Sequence, residues 1–362
     1  MLSSERRHDI DAVRVIAIGL LLVYHVAIGF QPWGIMIGFI ANKNPWTSLW
    51  IPMAMLNVWR IPLLFFVSGM GVYFAMQNRD LKTLLVERAT RILLPFVAGM
   101  VLIVPVHTHL WQQHYNFSKD YNPNPGHLWF LGNIFVYVVV LSPLFLYLKK
   151  HEEARFVKTM KRLFSTPLGL LAVFGGMVLE VLILDPRPFE MYAMTWHGFF
   201  LGLLAFFFGF CFVLSGRSFW NMILKWRWFF LPVAAAMFAF RITQFQYAPG
   251  YLLSVESTFW ILSVFAFAFR YLNRPNKVFS YLSQAAYPVY ILHMIFLYAG
   301  SLLIFPLNIP AQLQFVLVLL FTTIGCFAFY ELVVRKVNLI RPLFGLKMKD
   351  AGKALSADGV AA

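Results

Sequence analysis

The chain of 362 residues is 60% hydrophobic and only 12% charged, with a mean hydropathy of +0.70, whereas about a quarter of the residues in a soluble chain are charged. This composition excludes a soluble globular protein, a disordered or collagen-like chain and a disulfide-built scaffold, and it indicates a membrane protein. A net charge of +15 would favour nucleic acid as a partner in a soluble chain, so the positions of the basic residues decide its meaning.

Ten apolar runs of about 20 residues are each long enough to cross a bilayer as a helix. In chain order the predicted spans are residues 12–30, 51–76, 92–111, 127–148, 166–184, 197–214, 228–245, 250–269, 285–305 and 312–334. No internal repeat or low-complexity linker separates them, which predicts one membrane domain over residues 1–335. A basic cytoplasmic tail follows over residues 336–362, and its end beyond Asp350 is predicted to be disordered.

The basic residues follow the positive-inside rule. With the N-terminus placed in the cytoplasm, 25 of the 30 Lys and Arg lie at or near the inner side; the exceptions are Lys43, Arg60, Lys119, Arg187 and Arg241. This bias predicts an all-α polytopic membrane protein of about ten transmembrane helices with both termini cytoplasmic. The positive charge is therefore a topology signal, and no nucleic-acid partner is expected.

The first span carries two ionisable side chains on one face. Arg14 and His25 are eleven residues apart, which at 100° per residue is three turns plus about 20°, and the separation along the helix is about 16 Å. This spacing places Arg14 near the cytoplasmic mouth and His25 in the outer half. A snorkelling Arg and an unrelated packed His are the competing explanation.

Other polar residues return to the depth of His25 in different spans. An ionisable group in the hydrocarbon costs about 2.5–3.5 kcal/mol on insertion scales, so its presence needs a reason. We predict a polar pocket open to the outside, formed by Arg60, His107, Arg241 and Glu256, with His109, His127 and His197 at its mouth. A buried Arg–Glu structural pair is the alternative for the charged members. Cys211 and Cys326 are predicted to be packing residues, and with no CxxC or HExxH motif no metal site is expected.

Several segments resemble the acyltransferase 3 family of multi-pass membrane acyltransferases. They are RRHDIDAVRVIAIGLLLVYH with its Arg-x10-His spacing (6–25), WRIPLLFFVSG (59–69), ERATRILLPF (87–96), HLWFL (127–131) and SYLSQAAYPVYILH (280–293). Within the family, the segments YLLSVEST around Glu256 and YELVVRKVNLIRPLFGLK at the end are most similar to the glucan-biosynthesis C proteins, which are assigned succinyl transfer onto periplasmic glucans.

The resemblance implies an O-acyltransferase of the bacterial inner membrane. Its partners would be the lipid bilayer, a glycan acceptor and cytoplasmic acyl-CoA, either succinyl-CoA or acetyl-CoA, as co-substrate, with no tightly bound cofactor. A homo-oligomer remains open. The alternative function is a transporter or flippase that moves a glycan or an acidic solute through the same polar cavity unchanged.

The resemblance and the chemistry of the residues together predict the site. His25 acts as a general base or forms an acyl-histidine, and Glu256 partners His25 or orients an acceptor hydroxyl. Arg14, Arg88 and Arg91 bind the CoA phosphates, and for Arg88 and Arg91 an ordinary positive-inside charge is the alternative. The remaining predicted substrate contacts are Asp11, Arg60, His107, Trp129, Arg241 and His293. Asp11 orients Arg14, with an N-cap or first-turn acid of the first span as the alternative, and Arg60 pairs with a succinyl carboxylate. His293 lines the donor mouth near the cytoplasm with Tyr281, Tyr287, Tyr290 and Glu331, and an interfacial tyrosine belt is the alternative for this group.

Overall fold

The computed structural model describes residues 7–77, 79–244 and 248–349. Within these residues every regular element is a helix, and ten helices are long and apolar enough to cross a membrane. The prediction of an all-α polytopic membrane protein with about ten spans is therefore confirmed. The predicted disordered end of the tail, from Asp350 onward, lies outside the described residues.

The helices alternate in direction between two ends of one bundle. We call the end at which the first helix begins the basic end and the opposite one the far end. The helices are α1 (His8–Ile28), α2 (Trp50–Ala75), α3 (Leu81–His114), α4 (Trp129–Lys150), α5 (Arg155–Phe164), α6 (Pro167–Leu184), α7 (Trp196–Leu214), α8 (Arg217–Gln244), α9 (Gly250–Tyr271), α10 (Lys277–Ile304) and α11 (Ala311–Val334). All of these except the short, amphipathic α5 are candidate spans.

Three helices begin well before the apolar runs that predicted them. At the basic end α3 begins at Leu81, α8 at Arg217 and α10 at Lys277, because Lys and Arg end a hydropathy peak but are good helix formers. Helix α3 also contains two π-helical turns, at Ala89–Leu93 and Gly99–Ile103. Each turn ends two residues before a proline, whose missing N–H and bulky ring disturb the ordinary helical ladder.

Helix α1 lies at the centre of the bundle, packed against α2, α9, α10 and α11. Helix α2 packs very closely against α7, because glycine residues stand where the two backbones meet. A Cβ added at Gly69 would lie 1.9 Å from the carbonyl oxygen of Phe206, and one at Gly209 would lie 2.1 Å from that of Phe66. Small residues thus let two apolar helices approach where the lipid itself supplies no hydrophobic drive.

Non-helical segments and short 3-10 turns cover both ends of the bundle. At the far end, the segment between α1 and α2 folds over the helices, where Tyr298 donates a hydrogen bond of 2.5 Å to the carbonyl of Gly38 and Asn42 donates one of 2.6 Å to Gln314. At the basic end, the 3-10 helix Asn338–Phe344 packs on α3 and α10 and buries Phe344. The polar interior therefore lies between two covered ends.

Candidate active site

One cavity of about 670 Å³ extends through the interior between the two ends. Its walls come from α1, α2, α3, α4 and α10, together with the far-end loops after α1 and α6. Arg14 and His25, three turns apart on α1, both line it. The predicted stripe on the first span therefore faces a common space.

Three arginines line the cavity at the basic end, namely Arg14, Arg88 and Arg91. Arg14 lies 3.5 Å from Asp11 and Arg91 lies 3.3 Å from Glu87, while the Nε of Arg88 is buried with no hydrogen-bond partner in the described part of the chain. The three predicted CoA-binding residues are thus brought together. Their guanidinium groups are planar donors suited to phosphate oxygens.

His25 lies in the middle of the cavity and contacts a second histidine. Its Nδ1 is 2.8 Å from Nε2 of His293, and the two rings lie edge to edge and nearly coplanar, with centroids 5.0 Å apart and planes inclined by 16°. His25 keeps partial exposure although it lies inside a span, because part of its ring faces the cavity. That part carries Nε2, since Nδ1 is occupied by His293.

The predicted position of His293 near the cytoplasmic mouth is wrong. The side chain is fully buried and touches His25 rather than the donor mouth. Helix α10 begins at Lys277, not at the predicted 285, so His293 follows its start by 293 − 277 = 16 residues, or roughly 24 Å at 1.5 Å per residue. The error arose from the early start of this helix.

Arg60 is a buried cation near His25 that has no counter-ion among the described residues. Its side chain is 0% exposed, and none of its three guanidinium nitrogens has a hydrogen-bond partner within the described residues. The Tyr24 ring lies 4.1 Å from the guanidinium carbon, and the charge is close enough to act on His25. A cation–π contact offsets only part of the cost of burying a charge, so the site favours an added anion.

Aromatic and imidazole side chains complete the central walls. His107 packs edge-on against His127, with centroids 5.3 Å apart, and Trp129 lines the cavity beside them. His127 was predicted only as a mouth residue. Its Nε2 donates to the carbonyl of Ile291 over 3.0 Å, which leaves a buried Nδ1 lone pair without a partner in the described chain. The HLWFL segment was the available signal for it.

Glu190, in the loop after α6, is a lining residue that the sequence did not indicate. The loop is anchored by Tyr192, a buried residue whose hydroxyl donates to the carbonyl of Val58 over 3.0 Å. Burial raises the pKa of the Glu190 carboxyl above its ordinary value. No periodicity marks a single acid in a loop, so only the folded chain reveals it.

Glu256 and Arg241 lie together, apart from His25. The guanidinium donates two hydrogen bonds to the carboxylate, of 2.7 Å from Nε and 2.9 Å from Nη2, and Trp260 adds a longer one of 3.4 Å. Neither residue belongs to the described lining of the cavity. The predicted contact of Glu256 with His25 is therefore corrected, and the arrangement is the buried ion pair left open as the alternative.

The described residues contain no group of three or more His, Cys, Asp or Glu placed to hold a metal ion. Cys211 and Cys326 are free and buried.

Comparison with known proteins identifies the family. The acyltransferase 3 family model, described as an acyltransferase domain, matches residues 7–331. No curated protein and no solved structure matches the chain. Because the matched region includes all ten spans except the last few residues of α11, the chain belongs to the acyltransferase 3 family and is a membrane acyltransferase.

Proposed function

We propose that this protein transfers an acyl group from cytoplasmic acyl-CoA to a hydroxyl of a periplasmic or envelope glycan, at the bacterial inner membrane. The observation that carries the proposal is the single cavity joining Arg14, Arg88 and Arg91 at the basic end to His25 in the middle. The positive-inside rule assigns the basic end to the cytoplasm. The CoA phosphates would bind the arginines while the thioester reaches His25 along the pantetheine arm.

His25 then connects donor and acceptor. As a general base, its Nε2 takes the proton from the acceptor hydroxyl, the oxygen forms a C–O bond with the thioester carbon, and the C–S bond breaks. The CoA thiolate leaves with the proton returned from Nε2. In the covalent route Nε2 itself bonds the acyl carbon and releases CoA, and the acceptor oxygen later displaces the imidazole. Both routes need an unprotonated Nε2 that faces the cavity.

Arg60 supports succinyl as the acyl group. A succinyl chain carries a free carboxylate, which would supply the anion that the buried guanidinium lacks. Acetyl has no charge to offer. Arg60 lines the cavity but its side chain is fully covered, so binding requires a small displacement of the side chains that cover the guanidinium. The similarity of the segments around Glu256 and at the C-terminus to glucan-biosynthesis C proteins favours a periplasmic glucan as acceptor.

The test uses membranes containing the full chain, incubated with succinyl-CoA and a glucan acceptor. Wild type should release free CoA and produce a glucan heavier by one succinyl group, and His25→Ala should lower turnover by at least the 10²–10⁴-fold typical of a lost general base. His151→Ala, an exposed histidine between α4 and α5, is the matched control. Acylation that survives in His25→Ala contradicts the mechanism, and glucan movement without CoA release indicates a transporter.

Donor selectivity is tested separately with Arg60→Gln. The variant should lose efficiency with succinyl-CoA by about tenfold or more, the weight of one charge-assisted hydrogen bond, and lose little with acetyl-CoA. Arg60→Lys keeps the positive charge, so its efficiency with succinyl-CoA should lie between those of wild type and Arg60→Gln. Equal losses with both donors would remove the carboxylate-binding role.

A further inference from the structure

We propose that His293 is a positioning residue that holds His25 in one tautomer, with its proton on Nδ1 and its Nε2 lone pair directed to the cavity. The inference rests on the proposed function, because it explains why His25 is ready to accept a proton or attack a carbonyl. It replaces the predicted role of His293 as a substrate contact at the donor mouth.

The tautomers follow from a chain of two hydrogen bonds. His293 Nδ1 lies 2.6 Å from the carbonyl oxygen of Tyr290. A carbonyl only accepts, so this nitrogen must carry the proton. Neutral imidazole has one N–H, and Nε2 of His293 is therefore a lone pair. That lone pair faces Nδ1 of His25 at 2.8 Å, so Nδ1 of His25 must donate and Nε2 of His25 is unprotonated.

The reverse arrangement would need a doubly protonated His293, whose Nε2–H would donate to His25. The ring is 0% exposed, and Arg60 already places one cation close enough to act on both histidines. A second buried cation beside the first is costly, because no carboxylate in the described part of the chain is bonded to either group. When both histidines are neutral, each Nδ1–H has an acceptor and no further charge is buried.

Helix α10 holds the His293 end of these two hydrogen bonds in place. Tyr290 and His293 lie one turn apart on α10, so His293 bonds its own helix, and the Tyr290 hydroxyl donates to the carbonyl of His127 over 2.5 Å. The two ring planes are inclined by only 16°, so the hydrogen bond between His25 and His293 lies close to the plane of both rings. Position and proton state of His25 are thereby set by α10, a different helix from the one that carries it.

The chemical consequence is that His25 needs no tautomer exchange before reacting. Its Nδ1–H stays hydrogen-bonded to His293 while Nε2 gains and returns the proton of the acceptor. Without an acceptor at position 293, nothing selects this tautomer, and the one with Nε2 protonated is inert toward both substrates. Loss of His293 should therefore lower kcat, whereas KM for acyl-CoA, set at the basic end, should change little.

Two variants separate positioning from packing. His293→Leu fills similar space with no acceptor, and His293→Gln can place a carboxamide oxygen near the former Nε2 to accept from His25. We expect a kcat loss of roughly 10²-fold or more for the Leu variant, a KM for succinyl-CoA within about threefold, and recovery of at least a tenth of wild-type kcat by Gln. Full kcat in His293→Leu, or equal losses in Leu and Gln variants that fold, would overturn the proposal.

Nitrogen-15 NMR of histidine-labelled protein in lipid gives a readout independent of activity. The His25 signals, assigned by their absence in His25→Gln, should show a protonated Nδ1 and a bare Nε2 in the wild type. A proton on Nε2 of His25 would overturn the proposal even if His293→Leu failed to fold. If wild type showed the expected tautomer but no acyl transfer, the proposed function would fail and the positioning role of His293 would stand.

Discussion

Breaking the Arg241–Glu256 pair tests whether Glu256 supports the fold or the reaction. Both side chains are almost completely buried, at 8% and 0% exposure, and two hydrogen bonds join them. Removing one partner leaves an uncompensated buried charge, which costs about 3–5 kcal/mol. Arg241→Met and Glu256→Leu should each lower the free energy of unfolding by about that amount, and the double variant should recover most of it because an apolar pair leaves no charge behind.

The chain supplies its own reporters for this measurement. Cys211 and Cys326 are free and 0% exposed, so a thiol-reactive dye should react only as the protein unfolds, and the Tm in detergent follows from its fluorescence. kcat per folded molecule should fall by much less than the 10²-fold effect of a general base. If Glu256→Gln retained the wild-type Tm but lost 10²-fold or more in kcat, the structural interpretation of the pair would be refuted.

Three further predictions concern the helix crossing, the basic end and the far-end loop. Gly69→Ala should prevent folding or lower the Tm strongly, because its Cβ would lie 1.9 Å from a carbonyl oxygen of α7, whereas Gly175→Ala, which meets open space, should be neutral or stabilising; equal Tm values would contradict the close crossing. Arg88→Gln should raise the KM for acyl-CoA about tenfold or more, whereas Arg155→Gln, at an exposed position, should leave this KM unchanged. The difference in KM between Arg88→Gln and wild type should shrink when dephosphorylated CoA donors are used. Burial raises the pKa of Glu190 above its ordinary 4.5, so its ionised form destabilises the fold progressively as the pH rises through the raised value. Glu190→Gln should therefore have a higher Tm than wild type at pH 8 and lose that advantage at pH 4; a pH-independent difference would exclude the ionisation as its cause.

Hydropathy predicted the number of spans and the shared depth of the polar residues. Both depend only on distance along the membrane normal. The rise of about 1.5 Å per residue in a helix gives this distance directly from sequence position. The same conversion placed Arg60 and His107 at the level of His25, and both line the cavity with it. Arg14 was likewise predicted on the His25 face, since 3.6-residue periodicity relates positions within one helix.

Which helices lie next to each other in the plane of the membrane could not be predicted from sequence position. Glu256 pairs with Arg241 of α8 because α8 and α9 pack side by side, and no spacing in the sequence states which helices are adjacent. His293 was misplaced because the apolar run was taken to begin at residue 285, whereas the helix already begins at Lys277. Glu190 lies in a loop, where neither hydropathy nor periodicity applies.

A neutral histidine beside His25, where serine-hydrolase triads hold a carboxylate, suits a site that also contains Arg60. A carboxylate at position 293 would lie in the field of Arg60, which acts on both histidines, and would pair with that guanidinium. No cation would then remain for an anionic acyl group. His293→Asp should therefore lose discrimination between succinyl-CoA and acetyl-CoA even where turnover persists. Discrimination that survives this substitution would show that Arg60 and His293 act independently, and that the neutrality of the partner has no bearing on donor choice.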